Sequence, residues 1–387
     1  MKSFKEIEDN LIANTYAKRD VEIVRGSGAI VYDKNGKEYI DCVTGNGVAL
    51  LGHGNKDIAK AVSEQAQKII TTPGIFYSEA RANFAEKITK ILPIKNSKIF
   101  LGNSGTEAVE CTIKLARKAT GKTDFIAMKN GFHGRTLGAL SATFRPKYRK
   151  PFEPLVPGFT HVSFNNIDEL RNAITERTAG VILEAVQGEA GVVLADRNYL
   201  KEVRELCDEK GVLMILDEIQ TFGRTGNYFA AQTFGIEPDI LTVAKGLAGG
   251  VPIGLCAART EIFDKLEVGE HASTFGGNAL ACAAGTACLD VLEKEKLVQK
   301  GAKMGEKLRK NLEQLNGNEK IREVRGIGAM IAVESRFPVK EQLGFSLKNG
   351  VLAQTSGMST IRLLPPLIIN EKEVETVSKV IINSFAK

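Results

Sequence analysis

The sequence predicts an α/β fold built on one largely parallel sheet, and three observations carry that reading. Short apolar runs stop abruptly at charged or glycine-rich turns: Val212-Leu213-Met214-Ile215-Leu216 ends at Asp217-Glu218-Ile219-Gln220, and Ile240-Leu241-Thr242-Val243-Ala244 ends at Lys245-Gly246. Runs this short and this apolar read as strands buried on both faces, the habit of parallel sheets covered by helices. The stretches between the runs have helical spacing. Finally, 387 residues with 43% apolar and 25% charged content bury a core large enough for two or three domain-sized units.

Taken in order, residues 3–13 alternate charge and apolarity at helical spacing and predict an opening helix. Residues 21–24, 29–32 and 38–41 predict a meander of short strands, with Asn35-Gly36 as the hairpin signal between the last two. Gly45, Gly47, Gly52 and Gly54 mark 43–54 as a loop. Helical patterns cover 57–69 and 79–91. Strands follow at 98–101, 125–128, 161–164, 180–183, 212–216, 240–244 and 253–256, separated mostly by helices, which makes roughly seven strands in one layer. From about Asn278 the chain turns helical, and short strands near 321–325, 328–333 and 360–363 precede a terminal helix from about 371. The expected division is a large unit over 46–285 and a smaller α+β unit made by both chain ends, 1–45 and 286–387.

Composition excludes several classes. No run of eighteen apolar residues exists, so no membrane span is expected. The start, Met1 to Glu8, lacks the apolar core of a signal peptide, so a cytoplasmic protein is expected. Six cysteines show neither a CxxC pair nor zinc spacing and read as reduced, buried thiols; no metal site is expected. The net charge is +6, but Lys and Arg are spread along the chain, which argues against nucleic acid and leaves an acidic partner open.

Chemistry is expected beyond the strand ends. An Asp and a Lys at the ends of neighbouring strands lie roughly 5–10 Å apart, from the strand spacing. That gap fits a flat heterocycle held by an acid at one end and an amine at the other, and pyridoxal phosphate (PLP) is such a ring. Gly102-Asn103-Ser104-Gly105-Thr106-Glu107, between a strand and a helix, can face an anion with free N–H groups, or can simply cap the helix. Thr120-Gly121-Lys122-Thr123 resembles the tail of a P-loop, but Ala116 stands where the first glycine is needed. Gly131-Phe132-His133-Gly134-Arg135-Thr136 offers a ring face and a planar carboxylate fork. Glu184 and Glu189 close another strand, and Arg362, flanked by apolar residues, needs a carboxylate from protein or substrate.

Together with Gln187-Gly188-Glu189, Leu216 to Gln220, Ala244-Lys245-Gly246 and Ser273-Thr274-Phe275-Gly276-Gly277-Asn278, these motifs resemble the class III PLP-dependent aminotransferases over residues 20–380. The resemblance implies the PLP-dependent transferase fold type I and a homodimer with its active sites at the interface. It makes Lys245 the Schiff-base lysine and proton shuttle, and Asp217 the partner of the pyridinium nitrogen. Gln220 would contact the ring hydroxyl and Phe132 would stack on the ring, with Glu218 and Ile219 beside it. Gly105 and Thr106 would hold the phosphate, joined by Thr274 of a second copy. Arg135 would bind a substrate carboxylate, Ser273 would lie beside the substrate, and Glu189 would mask Arg362 until glutamate arrives. The closer likeness is to acetylornithine aminotransferases and to relatives acting on lysine or ornithine bound to an acidic amino-group carrier protein, with 2-oxoglutarate as acceptor. Arg145, Lys147, Arg149 and Lys150 would then form the carrier's docking segment. Asn46 stands where ornithine aminotransferases have a gating tyrosine. Ornithine or 4-aminobutyrate aminotransferase, or an aminomutase, are the alternatives.

Overall fold

The short apolar runs pair into one sheet: β1 (Ser97–Gly102), β2 (Asp124–Met128), β3 (Phe159–Val162), β4 (Thr178–Leu183), β5 (Leu213–Asp217), β6 (Ile240–Val243) and β7 (Gly254–Arg259). In this computed structural model, which describes residues 3–386, their order is β1-β7-β6-β5-β4-β2-β3. Met1, Lys2 and Lys387, the outermost residues of the smaller expected unit, lie outside the described residues. Every residue of β4 and β6 is buried, which is why those runs carry no polar alternation. Neighbours pair in parallel except at β7, which runs antiparallel to both β6 and β1.

Strand bounds shift from expectation in several places, and two of the shifts show their cause. β3 forms two residues early because Phe159 and Thr160 pair with Phe125 and Ile126, while the Ser163 N–H turns away to the Glu169 carboxylate at 2.9 Å. β7 runs on to Arg259 because it is paired along the whole of β1, from Gly254 with Gly102 to Arg259 with Ser97. The glycine-rich segment 43–54 is not wholly loop. It contains a tight turn, Thr44–Gly47, in which Gly45 and Asn46 have φ near +61° and +64°.

Helix Gly105–Thr120 lies across β6 and β7, and helix Ala279–Lys294 packs against Lys56–Lys68 and Glu79–Thr89. A second core gathers Leu308, Leu312, Ile331, Val333, Ile361, Leu363, Val374 and Ile381 beneath a four-stranded sheet near the carboxyl end. Two short strands there, Val351–Leu352 and Gln354–Ser356, were not expected; the first pairs in parallel with Glu38–Asp41 and so joins the two chain ends. Buried Arg224 ties the assemblies together by donating to Pro365 O at 2.8 Å and to Gly47 O and Thr44 Oγ1 at 3.3 Å each. All six cysteines are buried and free of disulfides. Among the described residues, no helix is long and apolar enough to cross a membrane.

Candidate active site

Parallel strands aim their carboxyl ends at one edge, and that edge opens onto a cavity of about 600 Å³. β5 and β6 are direct neighbours, with Asp217 opposite Thr242, so Lys245 lies three residues beyond the register of Asp217. Both residues line the cavity. Lys245 has φ +46°, the left-handed region that costs a non-glycine residue on the order of 1–3 kcal/mol. The buried turn Lys245–Ala248 holds it there. Burial lowers the Lys245 pKa, and the positive charge of Arg362 lowers it further, against the pull of Glu189, Asp217 and Glu184. An amine so placed is unprotonated in a larger fraction near neutral pH than an exposed lysine is.

Asp217 is 3% exposed and fixed at both oxygens. Oδ1 accepts from the Ile219 N–H at 3.0 Å, and Oδ2 meets His133 Nδ1 at 2.7 Å. Burial works to lower the His133 pKa, but the hydrogen bond and charge of Asp217, with the charge of Glu184, outweigh it and the net shift is upward. Glu184 accepts from the Phe132 N–H at 3.0 Å and the Gly188 N–H at 3.3 Å, and burial raises it to about 7. Phe132 is half-buried on the cavity wall and meets Tyr148 edge-on at 6.0 Å.

The 103–107 turn stands opposite. Ser104 caps its helix by accepting from the Glu107 N–H at 3.3 Å, and Glu107 in turn accepts from Asn103 N and Nδ2 at 2.9 Å each. The first N–H groups of this helix have no intrahelical acceptor, and Thr106 Oγ1 stands beside them, 2.7 Å from Thr136 Oγ1. Two glycines make this approach possible: a Cβ at Gly134 would lie 2.4 Å from Thr106 Oγ1, and one at Gly105 would lie 2.7 Å from Ile219 Cδ1.

At the far end Arg362, 1% exposed, donates to Glu189 Oε1 at 2.6 Å, Gly188 O at 3.0 Å and Gln220 Oε1 at 3.3 Å. Glu189 and Gln220 line the cavity and Arg362 stands behind them. Burial pushes the Glu189 carboxyl up, but Arg362, Lys245 and Gln220 together hold it below the ordinary value. Arg135 is exposed at the mouth, its guanidinium 4.5 Å from the Tyr148 ring centre.

The expected residues do not all converge. Glu218 is turned away: its carboxylate takes the Ala230 and Ala231 N–H groups at 2.9 and 2.7 Å and the Thr221 hydroxyl, so its work is to hold helix Ala230–Phe234. Thr274 is exposed and does not line this chain's cavity, while Ser273 reaches its rim by accepting from Asn103 Nδ2 at 3.2 Å. Two of the four basic residues over 145–150 are occupied, Arg145 on Glu189 O and Arg149 on His161 Nδ1. Sequence reasoning also left His133 without a role, although it lies inside the Gly131–Thr136 motif. Nothing in the linear order pairs it with Asp217, 84 residues on. Tyr16 and Val48 on the wall had no signal at all.

The donor set suits PLP: a fixed carboxylate, an amine at the adjacent strand end, an anion-binding turn and an aromatic wall define a vitamin B6 enzyme site. Comparison with known proteins agrees. Residues 11–385 match the profile of the family described as aminotransferase class-III. The acetylornithine aminotransferase of Archaeoglobus fulgidus is 44% identical over 98% of this chain and 99% of its own. A LysW-aminoadipate semialdehyde transaminase of Deinococcus radiodurans is 46% identical over 94% of this chain and 86% of its own. Among solved structures, the ornithine aminotransferase of Toxoplasma gondii superposes with a TM-score of 0.95 at 32% identity, covering 100% of this chain and 96% of the other. The chain belongs to the class-III aminotransferases and is a PLP-dependent transaminase.

Proposed function

We propose that the enzyme moves the terminal amino group of an Nα-blocked ornithine- or lysine-type donor to 2-oxoglutarate, in arginine or lysine biosynthesis. The observation that carries this reading is the masked arginine. A donor reacting through its ω-amine brings no carboxylate to the reacting carbon, whereas 2-oxoglutarate brings one, and a single fixed cation cannot suit both. Glu189 covers Arg362 at 2.6 Å during the first half-reaction and yields to the acceptor's α-carboxylate in the second. Gln220, bonded to both members, takes up the released partner. The named relatives acting on acetylornithine and on LysW-aminoadipate semialdehyde support the blocked donor.

Bound PLP supplies the electron sink that acidifies the C–H beside the transferred amine. Lys245 takes that proton and returns it on the other side of the exchange, and its lowered pKa suits the base's part. Asp217, oriented by His133 and the Ile219 N–H, presents fixed negative charge to the cofactor's ring nitrogen. Gly105, Thr106 and the helix start take the phosphate, and Phe132 walls the ring. Arg135 takes the donor's α-carboxylate at the mouth.

The rest of the assignment follows as proposal. The enzyme acts as a cytoplasmic homodimer: Ile75, Phe76, Tyr77 and Phe275 are 62–106% exposed, an apolar surface suited to a second copy that would lend Thr274. An acidic carrier protein would meet Lys147 and Lys150, the exposed amines of the 145–150 segment. Of the two structural units, the larger is best ended after Lys294, because a boundary at 285 would cut a continuous helix. Separate half-reaction rates test the function. Nα-acetylornithine or Nα-acetyllysine should exceed ornithine and 4-aminobutyrate by about tenfold or more in kcat/KM, about 1.4 kcal/mol of discrimination. The reverse order would replace the reading with one of the free-amine activities. Borohydride reduction should leave the label on Lys245.

A further inference from the structure

Breaking the Glu189–Arg362 pair leaves a mostly buried carboxylate that has to be housed elsewhere. The turn that carries Glu189 has little freedom to move, because its main chain is held on several sides. The Gly188 N–H donates to Glu184 Oε2 at 3.3 Å, and Gly188 O accepts from Arg362 Nη1 at 3.0 Å and from Ser356 Oγ at 3.2 Å. Gly191 O accepts from Arg325 Nε at 2.9 Å. A Cβ at Gly188 would lie 1.8 Å from Gln220 Oε1, so no slack remains on that side. Glu189 therefore leaves Arg362 by rotation of its own side chain. Three rotatable bonds keep its carboxylate within roughly 5 Å of its own Cα wherever it turns. Arg145 stands within that reach, since its Nη2 donates to the main-chain carbonyl of Glu189 itself.

Among the described residues, that bond is the only one the half-buried Arg145 side chain makes, and no carboxylate pairs with it. Gln220 Nε2 also meets Glu189 Oε1, at 3.4 Å, but a neutral amide leaves the released charge unanswered. We propose that Arg145 is a positioning residue for the gate: when an incoming dicarboxylate takes Arg362, the Glu189 carboxylate rotates onto the free N–H groups of Arg145. One guanidinium then holds both the carbonyl and the carboxylate of the same residue. Its planar fork suits that double contact, which a lysine ammonium meets less well. This rests on the masked-arginine reading above and deepens it. Arg145 lowers the cost of unmasking and so favours the dicarboxylate acceptor, whereas the amino donor leaves the mask closed and does not draw on it. Its part differs from that of Lys147 and Lys150, which stay exposed.

The test uses the holoenzyme, with glutarate as an unreactive dicarboxylate probe for calorimetric binding. Separate half-reactions with Nα-acetylornithine and with 2-oxoglutarate supply the kinetic arm. Arg145→Ala should weaken glutarate binding by about tenfold, the scale of one partly exposed charge-assisted pair, and shift the ratio of acceptor to donor KM by a similar factor. Arg145→Lys should recover part of the loss. Glu189→Gln removes the charge to be received, so it should tighten glutarate binding, and Arg145→Ala added to it should have little further effect. Unchanged glutarate affinity in Arg145→Ala, a loss shared equally by both half-reactions, or the same loss on the Glu189→Gln background would leave Arg145 a structural residue only. Any of these overturns the proposal with the gate still standing. Glu189→Gln without effect on glutarate binding overturns the gate and the proposal together.

Discussion

At the residue scale, the molecule's most unusual chemistry is the crowd of carboxylates around β5, and each has a different environment. Asp217 has a histidine and a backbone N–H, Glu189 has an arginine, and Glu184 and Glu218 have only neutral donors as hydrogen-bond partners. For Glu218, burial raises the carboxyl to about 7 from an ordinary 4.5, despite the hydrogen bonds from Thr221, Ala231 and Ala230, and the charge of Asp217 adds to the rise. The folded protein therefore holds this proton more tightly than the unfolded chain does. Its contribution to stability is full below about pH 4.5 and is lost as pH rises through about 7. Glu218→Gln removes the titration while keeping an acceptor for helix Ala230–Phe234. Denaturation midpoints of the two proteins should converge near pH 5 and separate towards pH 8, by on the order of 3 kcal/mol. A difference that does not change with pH would refute the assignment. None of this was legible from Asp217-Glu218 as a dipeptide, since neighbouring residues at a strand end face opposite ways and only the fold says which way is the cavity.

At the scale of elements, the site depends on how closely the 103–107 turn can approach the antiparallel strand β7. Gly254 opens that strand opposite Gly102, and a Cβ there would lie 2.0 Å from Ser104 O. The contact is with backbone, so no rotamer relieves it. Gly254→Ala should push the turn away from the sheet edge, weakening PLP affinity by about tenfold or more and destabilising the fold by about 1–3 kcal/mol. Fluorescence titration with PLP and thermal melts of the apoprotein measure the two effects separately. Unchanged PLP affinity would mean that the turn does not need its present position. The turn itself was readable as a strand-to-helix junction, with anion binding and plain capping both open from the residues alone. The glycine that lets it approach was not, because its neighbour lies 150 residues earlier. β3 was placed two residues late for a similar reason: Phe159 and Thr160 become strand only because Phe125 and Ile126 offer a ladder.

At the scale of the whole molecule, two features leave apolar side chains exposed among the described residues. The helix Phe4–Leu11 is amphipathic and capped by Ser3 and Glu6, yet none of its residues is buried. The segment from Ile69 to Tyr77 presents Ile69, Ile70, Ile75, Phe76 and Tyr77 to the surface. Sedimentation should therefore show a dimer, and a double change Ile75→Asp, Phe76→Asp should give monomers with at least about a hundredfold loss of activity if Thr274 acts across the interface. A fully active monomer would dismiss the shared site. The sequence alone determined the parallel α/β architecture, because strands buried on both faces must be apolar without interruption. It also singled out Asp217, Lys245, the 103–107 turn and Arg362, because charges at strand ends or flanked by apolar residues require partners, while only the family resemblance joined Arg362 to Glu189. Only the tertiary structure decided which partners they took. His133 came to Asp217, and Glu218 turned to a helix start. The physical reason is one of range: local chemistry sets what a residue needs, but hydrogen bonds and ion pairs act over a few ångströms, and only the folded chain brings distant residues that close.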